Sequence, residues 1–326
     1  MATESLRLGL SLLLNPSFPK KQKQEPQQEQ QQKLSKPVPP SKQLVFHISH
    51  LPKWMQLDPY IVHWYRPQLD SFEECFWSLF YLHNESINTW SHLLPGAYFV
   101  ALLLMVEYWV SHLPFNVTLA DVLAIQTYIA GTAGCLIFSA VFHATNAHSK
   151  EVATVFLKLD YLGIIMTIST TCTSMTYFGL YDSPFLQTTY ISLTVFCAAL
   201  VFWVTLDPRM DGVYAGHWRA AVFILLAASG LAPLCHVSLL EGVAGLEKFP
   251  LETLCVTCIS YAVGTMVYVS RFPEKFWPQR FDLLGASHQV FHILVAFGQI
   301  VHLYGLRDSL IRCYLDNMLG NSVPGA

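Results

Sequence analysis

Residues 120–142 read ADVLAIQTYIAGTAGCLIFSAVF and run straight into His143. Apart from Asp121 nothing in the stretch is charged, and as a helix it can cross a hydrocarbon layer about 30 Å thick. Six further stretches share this character: residues 90–110, 161–180, 185–206, 220–239, 251–269 and 287–306. Gly230, Pro233 and His236 interrupt the stretch 220–239, which a membrane helix tolerates when neighbours satisfy the freed backbone groups. The pattern predicts an all-α membrane protein, a bundle of seven transmembrane helices.

Composition agrees. Of 326 residues 53% are hydrophobic and 13% charged, against roughly 25% charged in a soluble domain. Mean hydropathy is +0.38. A net charge of -3 leaves no basic footprint for nucleic acid, and eight cysteines are too few for a disulfide scaffold. Residues 20–42, rich in Lys, Gln and Pro, cannot bury enough apolar surface to offset their ordering entropy. Residues 1–70 are therefore expected to form a disordered cytosolic tail. The apolar residues 6–14 lack a small-residue cleavage site and meet Pro16, which favours membrane-surface contact or disorder over a cleaved signal. The seven-helix domain is expected over residues 71–312 and a short outer tail over 313–326.

Lysine and arginine fix a direction. Nine of the nineteen precede Ser71. Connections after spans two, four and six hold Lys150, Lys158, Arg209, Arg219, Arg271, Lys275 and Arg280, whereas those after spans one, three and five hold only Lys248. Positive residues stay inside, so the N-terminus is expected in the cytosol and the C-terminus on the outer or lumenal side. The glycosylation acceptor pattern Asn116-Val117-Thr118 then falls outside. This direction is opposite to that of G-protein-coupled receptors.

Ionisable groups within spans usually face a cavity or a partner. His288 and His292 lie one turn apart on one helical face, a spacing that suits one shared zinc ion and equally two rings at headgroup level. His143 ends span two on the same side. Three imidazoles from two helices could thus complete a zinc site with an open fourth position, the form of catalytic zinc sites. Asp160 and Ser139 fall at that level too. A carboxylate there can take a proton from water, and a hydroxyl can hold a water or a substrate oxygen. The alternatives are a helix-start charge for Asp160 and a back-bond to the preceding turn for Ser139. His302, about 15 Å beyond His292 along the helix, falls near the outer end and cannot share the ion. His148 sits well around the helix or in a loop. Cys255 and Cys258 read as packing, and Glu107, Asp121 and Glu252, near outer ends, as solvated.

These motifs together resemble the progestin and adiponectin receptor family, also called the haemolysin III-related proteins. The match runs through His83-Asn84-Glu85 and Asn88-Thr89-Trp90-Ser91-His92, then Ser139 to His143, then Lys158-Leu159-Asp160-Tyr161. It continues through Arg271-Phe272-Pro273-Glu274, Phe281-Asp282, His288, His292 and the closing His302-Leu303-Tyr304-Gly305, so it covers about residues 60–306. The adiponectin-receptor branch and its fungal relatives look most similar, and the Gln-rich tail suits a fungal member.

The resemblance implies zinc held by His143, His288 and His292, with Asp160 and Ser139 as catalytic residues beside it. It further implies hydrolysis of a ceramide amide bond to a fatty acid and sphingosine. The expectation is a zinc-dependent membrane amidohydrolase of the plasma membrane or endoplasmic reticulum, linked to lipid and zinc homeostasis, with membrane lipids as partners. The competing expectation is a receptor whose zinc is structural and whose outer face binds a protein or small ligand. A transporter has less support, because no inverted repeat is visible.

Overall fold

Inside a bilayer every backbone N–H and C=O must find its partner within the protein, so long apolar stretches fold as helices. The structure, a computed structural model, describes residues 43–207 and 215–320. Seven of its helices are long and apolar enough to span: Ser86–Leu104, Leu119–Thr145, Lys150–Gly179, Pro184–Leu206, Ala221–Lys248, Leu251–Ser270 and Ser287–Leu315. The described residues contain no strand, only one bridge between Phe46 and Tyr65. The chain is an integral multi-pass membrane protein. Residues 1–42, with the stretches 6–14 and 20–42, and residues 208–214, with Arg209, lie outside the described residues, as do 321–326.

Several boundaries differ from the hydropathy reading for physical reasons. The first span ends at Leu104, and a separate short helix, Val106–Ser111, follows after Met105. The third span begins at Lys150, capped by the Ser149 hydroxyl, because its first turns are polar and escape a hydropathy scan. Asp160 therefore lies within a helix and does not start one. The fifth span, Ala221–Lys248, is built from two helices, Ala215–Ser229 and Leu231–Gly245, which meet at Gly230, and ends in the turn Leu246–Lys248. The seventh helix continues to Gly320, well past residue 306.

Asp121, expected to be solvated, is fully buried. It closes a capping box with Thr118 at the start of the second span. It also accepts hydrogen bonds from the hydroxyls of Tyr177 at 2.9 Å, Tyr314 at 2.6 Å and Tyr181 at 3.4 Å. Three distant phenols thus replace water around this carboxylate and tie the second, third and seventh helices at one end of the bundle. Glu107 and Glu252 are exposed, as expected.

The second and seventh spans are the most enclosed, with 56% and 44% of their apolar windows buried against 17–28% in the others. The second packs on both the first and the third, and the sixth packs on the seventh. Second and third approach closely at Gly163, where an added Cβ would stand 2.7 Å from the Cys135 Cα.

Residues 44–70, grouped with the tail by composition, carry buried side chains. Leu51, Ile61 and Tyr65 pack with Ala286. Asp282 accepts from the backbone N–H of Val62 (3.2 Å) and of His63 (2.8 Å), and Arg271 donates to Asp58 at 2.7 Å. The N–H groups of Leu69 and Asp70 reach the carbonyls of Ala147 and His148. This segment therefore clamps the loop before the seventh span to the end of the second.

Candidate metal centre

The seventh helix opens with Ser287, which puts His288 and His292 in its first two turns. Its orphan N-terminal N–H groups are met by buried side chains. Glu274 accepts from the Ser287 N–H at 2.8 Å and from the Ser287 hydroxyl, while Gln289 Oε1 accepts from the Gly285 N–H at 2.6 Å. At the end of the second span the opposite problem arises, namely unpaired carbonyls. Arg66, fully buried, donates to the carbonyls of His143 (2.6 Å) and Ala144 (2.7 Å), to Asn146 Oδ1 (2.7 Å) and to Ser78 Oγ (2.7 Å). A cation at a helix C-terminus also suits the macrodipole. Burial pushes the Arg66 guanidinium below its ordinary range, yet an arginine stays charged at any physiological pH.

The first span supplies the third support. Glu85, Asn88 and His92 stand at i, i+3 and i+7 and so share one face. His143 Nδ1 donates to Glu85 Oε2 at 2.7 Å, and the same oxygen accepts from Asn88 Nδ2 at 2.6 Å. His292 Nδ1 donates to the Asn88 carbonyl at 3.1 Å. His92 donates to the His292 carbonyl at 3.1 Å and stacks on its ring, with centroids 3.7 Å apart and planes 6° from parallel. Burial alone would raise the Glu85 carboxyl, but its pairing with His143 Nδ1–H and the hydrogen bond from Asn88 outweigh this and hold it below the usual carboxylate range. Just before the helix, burial and the neighbouring Arg66 push His83 down to about 3, so its neutral Nδ1 accepts the Glu85 N–H at 3.1 Å.

With their Nδ1 hydrogens committed to oxygen acceptors, His143 and His292 present Nε2 lone pairs to the interior. This is the orienting arrangement seen around metal-ligating histidines. The donor atoms of His143, His288 and His292 all lie within 4.8 Å of one another, and the Nε2 atoms of His143 and His288 are 3.3 Å apart. Two nitrogens bound at about 2.0–2.1 Å to a tetrahedral ion are separated by about 3.3 Å, so the pair already has the spacing of one tetrahedral edge. The three-histidine group can hold a metal ion, and its donor set fits metals that favour imidazole.

Ser139 is buried beside Asp160, whose carboxylate is also within the electrostatic reach of His143. The structure thus brings together all five residues singled out from the sequence. His148 instead packs on Phe72, and His302, expected near an outer end, is fully buried in the bundle because its helix runs on to Gly320. Cys255 and Cys258 face outward with free thiols. Sequence reasoning gave no role to Arg66, Glu85, Asn88 and His92. For the last three the signal was available as a polar stripe in an otherwise apolar helix. Arg66 had none, since it counts with the tail cations.

Two consequences are measurable. Glu85→Gln frees His143 to rotate, and metal affinity by chelator competition should fall about 10–100-fold, the usual effect of losing a group that orients a ligand. Arg66→Met leaves two carbonyls, an amide oxygen and a hydroxyl without their donor, so unfolding should become easier by roughly 2–5 kcal/mol. A wild-type Tm in that variant would contradict the capping role.

A sequence profile described as "Haemolysin-III related" matches residues 80–303. The chain is 33% identical over 265 residues to "Adiponectin receptor protein" of Drosophila melanogaster, covering 81% of this chain and 59% of the fly protein. It is 33% identical over 270 residues to "ADIPOR-like receptor IZH2" of Saccharomyces cerevisiae, covering 82% and 85% respectively. "Heptahelical transmembrane protein 1" of Arabidopsis thaliana is 30% identical over 265 residues, 77% of each chain. The chain therefore spans less than two thirds of the fly relative. The matched region contains the three histidines with Ser139, Asp160, Glu85, Asn88 and His92, whereas Arg66 precedes it.

Proposed function

The chain belongs to the haemolysin-III-related family of seven-helix membrane proteins, and on that premise we propose that it is a zinc-dependent hydrolase of a lipid amide such as ceramide. One observation carries the reading: three inward-facing imidazoles with an Asp160–Ser139 pair beside them, at one end of an apolar bundle. His143, His288 and His292 would hold the zinc, which when bound supplies Lewis acidity and makes a water easier to deprotonate near neutral pH.

The remaining work falls to the chain's own residues. Glu85 and Asn88 keep the ligand rings in the tautomer that presents Nε2. Ser139 stands beside Asp160 and would donate to the carboxylate and orient it. Asp160 takes one proton from the attacking water as its oxygen bonds to the amide carbon. It then gives that proton to the leaving nitrogen as the C–N bond breaks, so the products are a fatty acid and an amine. An apolar pocket of about 90 Å³ lies between the third, fifth and sixth spans, lined by Ile168, Met175, Leu234 and Leu254 among others, and would take the end of an acyl chain but not its whole length. Ile168 is about two turns beyond Asp160 on the third helix.

The Lys/Arg asymmetry supports a cytosolic position for this end of the bundle. The fly and yeast relatives are called receptors, which favours a receptor role as the second reading; on it the outer face would bind a protein or small ligand and the zinc would be structural. Both readings expect about one zinc per purified chain, as a single three-histidine site requires. Only the first expects release of fatty acid from a lipid amide. Metal analysis combined with that assay on the wild-type chain tests the proposal, and a zinc-loaded, folded chain without turnover overturns it.

A further inference from the structure

The middle of the bundle holds polar side chains that the metal centre does not use. His302 is fully buried in the seventh span, and neither ring nitrogen has a hydrogen-bond partner among the described residues. A neutral imidazole carries one N–H donor and one acceptor nitrogen, and leaving both unmade in an apolar interior is costly. One turn earlier, Gln299 is also fully buried. Its Nε2 donates to Thr167 Oγ1 at 3.0 Å, but its Oε1 has no hydrogen-bond partner among the described residues.

The second span meets these groups with Tyr128, whose ring lies 5.1 Å from that of His302 and whose hydroxyl donates to the Gln299 carbonyl at 2.5 Å. Thr132, one turn on, sits beside that hydroxyl with its own oxygen otherwise unsatisfied. From the sixth span comes Tyr261, its ring so close to Gly298 that an added Cβ would stand 2.6 Å away, and its buried hydroxyl has no partner either. Three packed helices therefore carry unmet donors and acceptors around Tyr128 and the Gly298–His302 turns.

The mixture selects its guest. The Tyr261 hydroxyl and one imidazole nitrogen need an acceptor, while Gln299 Oε1 and the other imidazole nitrogen need a donor. An anion would serve only the first set, a cation only the second, and a hydrocarbon chain neither. A hydroxyl-bearing molecule serves both. We propose that His302, Gln299, Tyr261 and Thr132 form an internal hydration site in the membrane-spanning region. At about three hydrogen bonds per buried water, roughly one or two molecules would satisfy it. The site lies about 15 Å along the helix from His292 and does not depend on the metal or on hydrolysis. A lipid hydroxyl is the other source of the same chemistry.

The test is X-ray hydroxyl-radical footprinting of the full chain in lipid nanodiscs, where radicals arise from water in place. After correction for intrinsic reactivity, Tyr128 and His302 should be oxidised several-fold faster than Phe249, which is as deeply buried but packs in a separate apolar cluster with Met175, Leu180 and Val237. His302→Phe should bring Tyr128 down to the Phe249 rate, and His302→Gln, which keeps a donor and an acceptor, should retain the label. Wild-type rates at both residues no higher than at Phe249 overturn the site. So does an unchanged Tyr128 rate in folded His302→Phe. Slow labelling with a hydroxylated lipid extracted from the wild type, and not from His302→Phe, overturns water in favour of the lipid.

Discussion

His292→Ala should strip the protein of tightly bound metal. The ring is the second of two candidate ligands on the seventh helix, and without it only His143 and His288 remain, a pair too few for a site that needs three protein donors. The change reaches further than one ligand. The Asn88 carbonyl loses the N–H it accepts, and His92 loses the ring on which it stacks. Affinity by chelator competition should therefore fall well beyond the roughly 10–100-fold expected for Glu85→Gln, where all three ligands survive. A cobalt-substituted protein gives a second readout, because its visible spectrum reports the number of nitrogen donors. Full metal content in the His292→Ala chain would show that the ion is not held at this group. Parallel melting curves separate two roles: a structural ion takes the fold with it, whereas a catalytic one leaves a folded chain.

The bundle was legible because its signal is additive. Each span contributes about twenty apolar residues, and no single substitution hides such a run. The three-histidine group was legible because charge asymmetry put the end of the second span and the start of the seventh on one side, so His143 could be matched with His288 and His292 across 145 residues. What failed was local inference about single polar groups. Asp121 sits near a span end, where solvation is the default, yet Tyr177, Tyr181 and Tyr314 enclose it from elements far away in sequence. The third helix began earlier than hydropathy allowed, since Lys150, Glu151 and Lys158 interrupt an apolar scan but not a helix. Arg66 counted as one more tail cation, and only the fold reveals that it holds the carbonyl of His143. For Asp121 and Arg66 the deciding partner lies dozens of residues away, and no pattern along one segment contains it.

Asp160→Asn carries the other large effect and separates the two functional readings. Asparagine keeps the shape of aspartate and can still pair with Ser139, so the packing of the third helix against the second should survive. Its amide cannot accept a proton from water at neutral pH. If Asp160 is the general base, turnover of a lipid amide should drop by about 10²–10⁴-fold, the range associated with removing such a group. Zinc content and Tm should stay at wild-type values, because none of the three ligands is touched. Under the receptor reading the same substitution leaves ligand response intact, since nothing at the other end of the bundle has changed. Loss of metal together with activity would instead make Asp160 a support of the site, and undiminished hydrolysis would remove it from the chemistry altogether. Asp160 is worth this experiment more than Ser139, because a hydroxyl can be replaced by a water in its small cavity, whereas a carboxylate that must hold and return a proton has no such substitute.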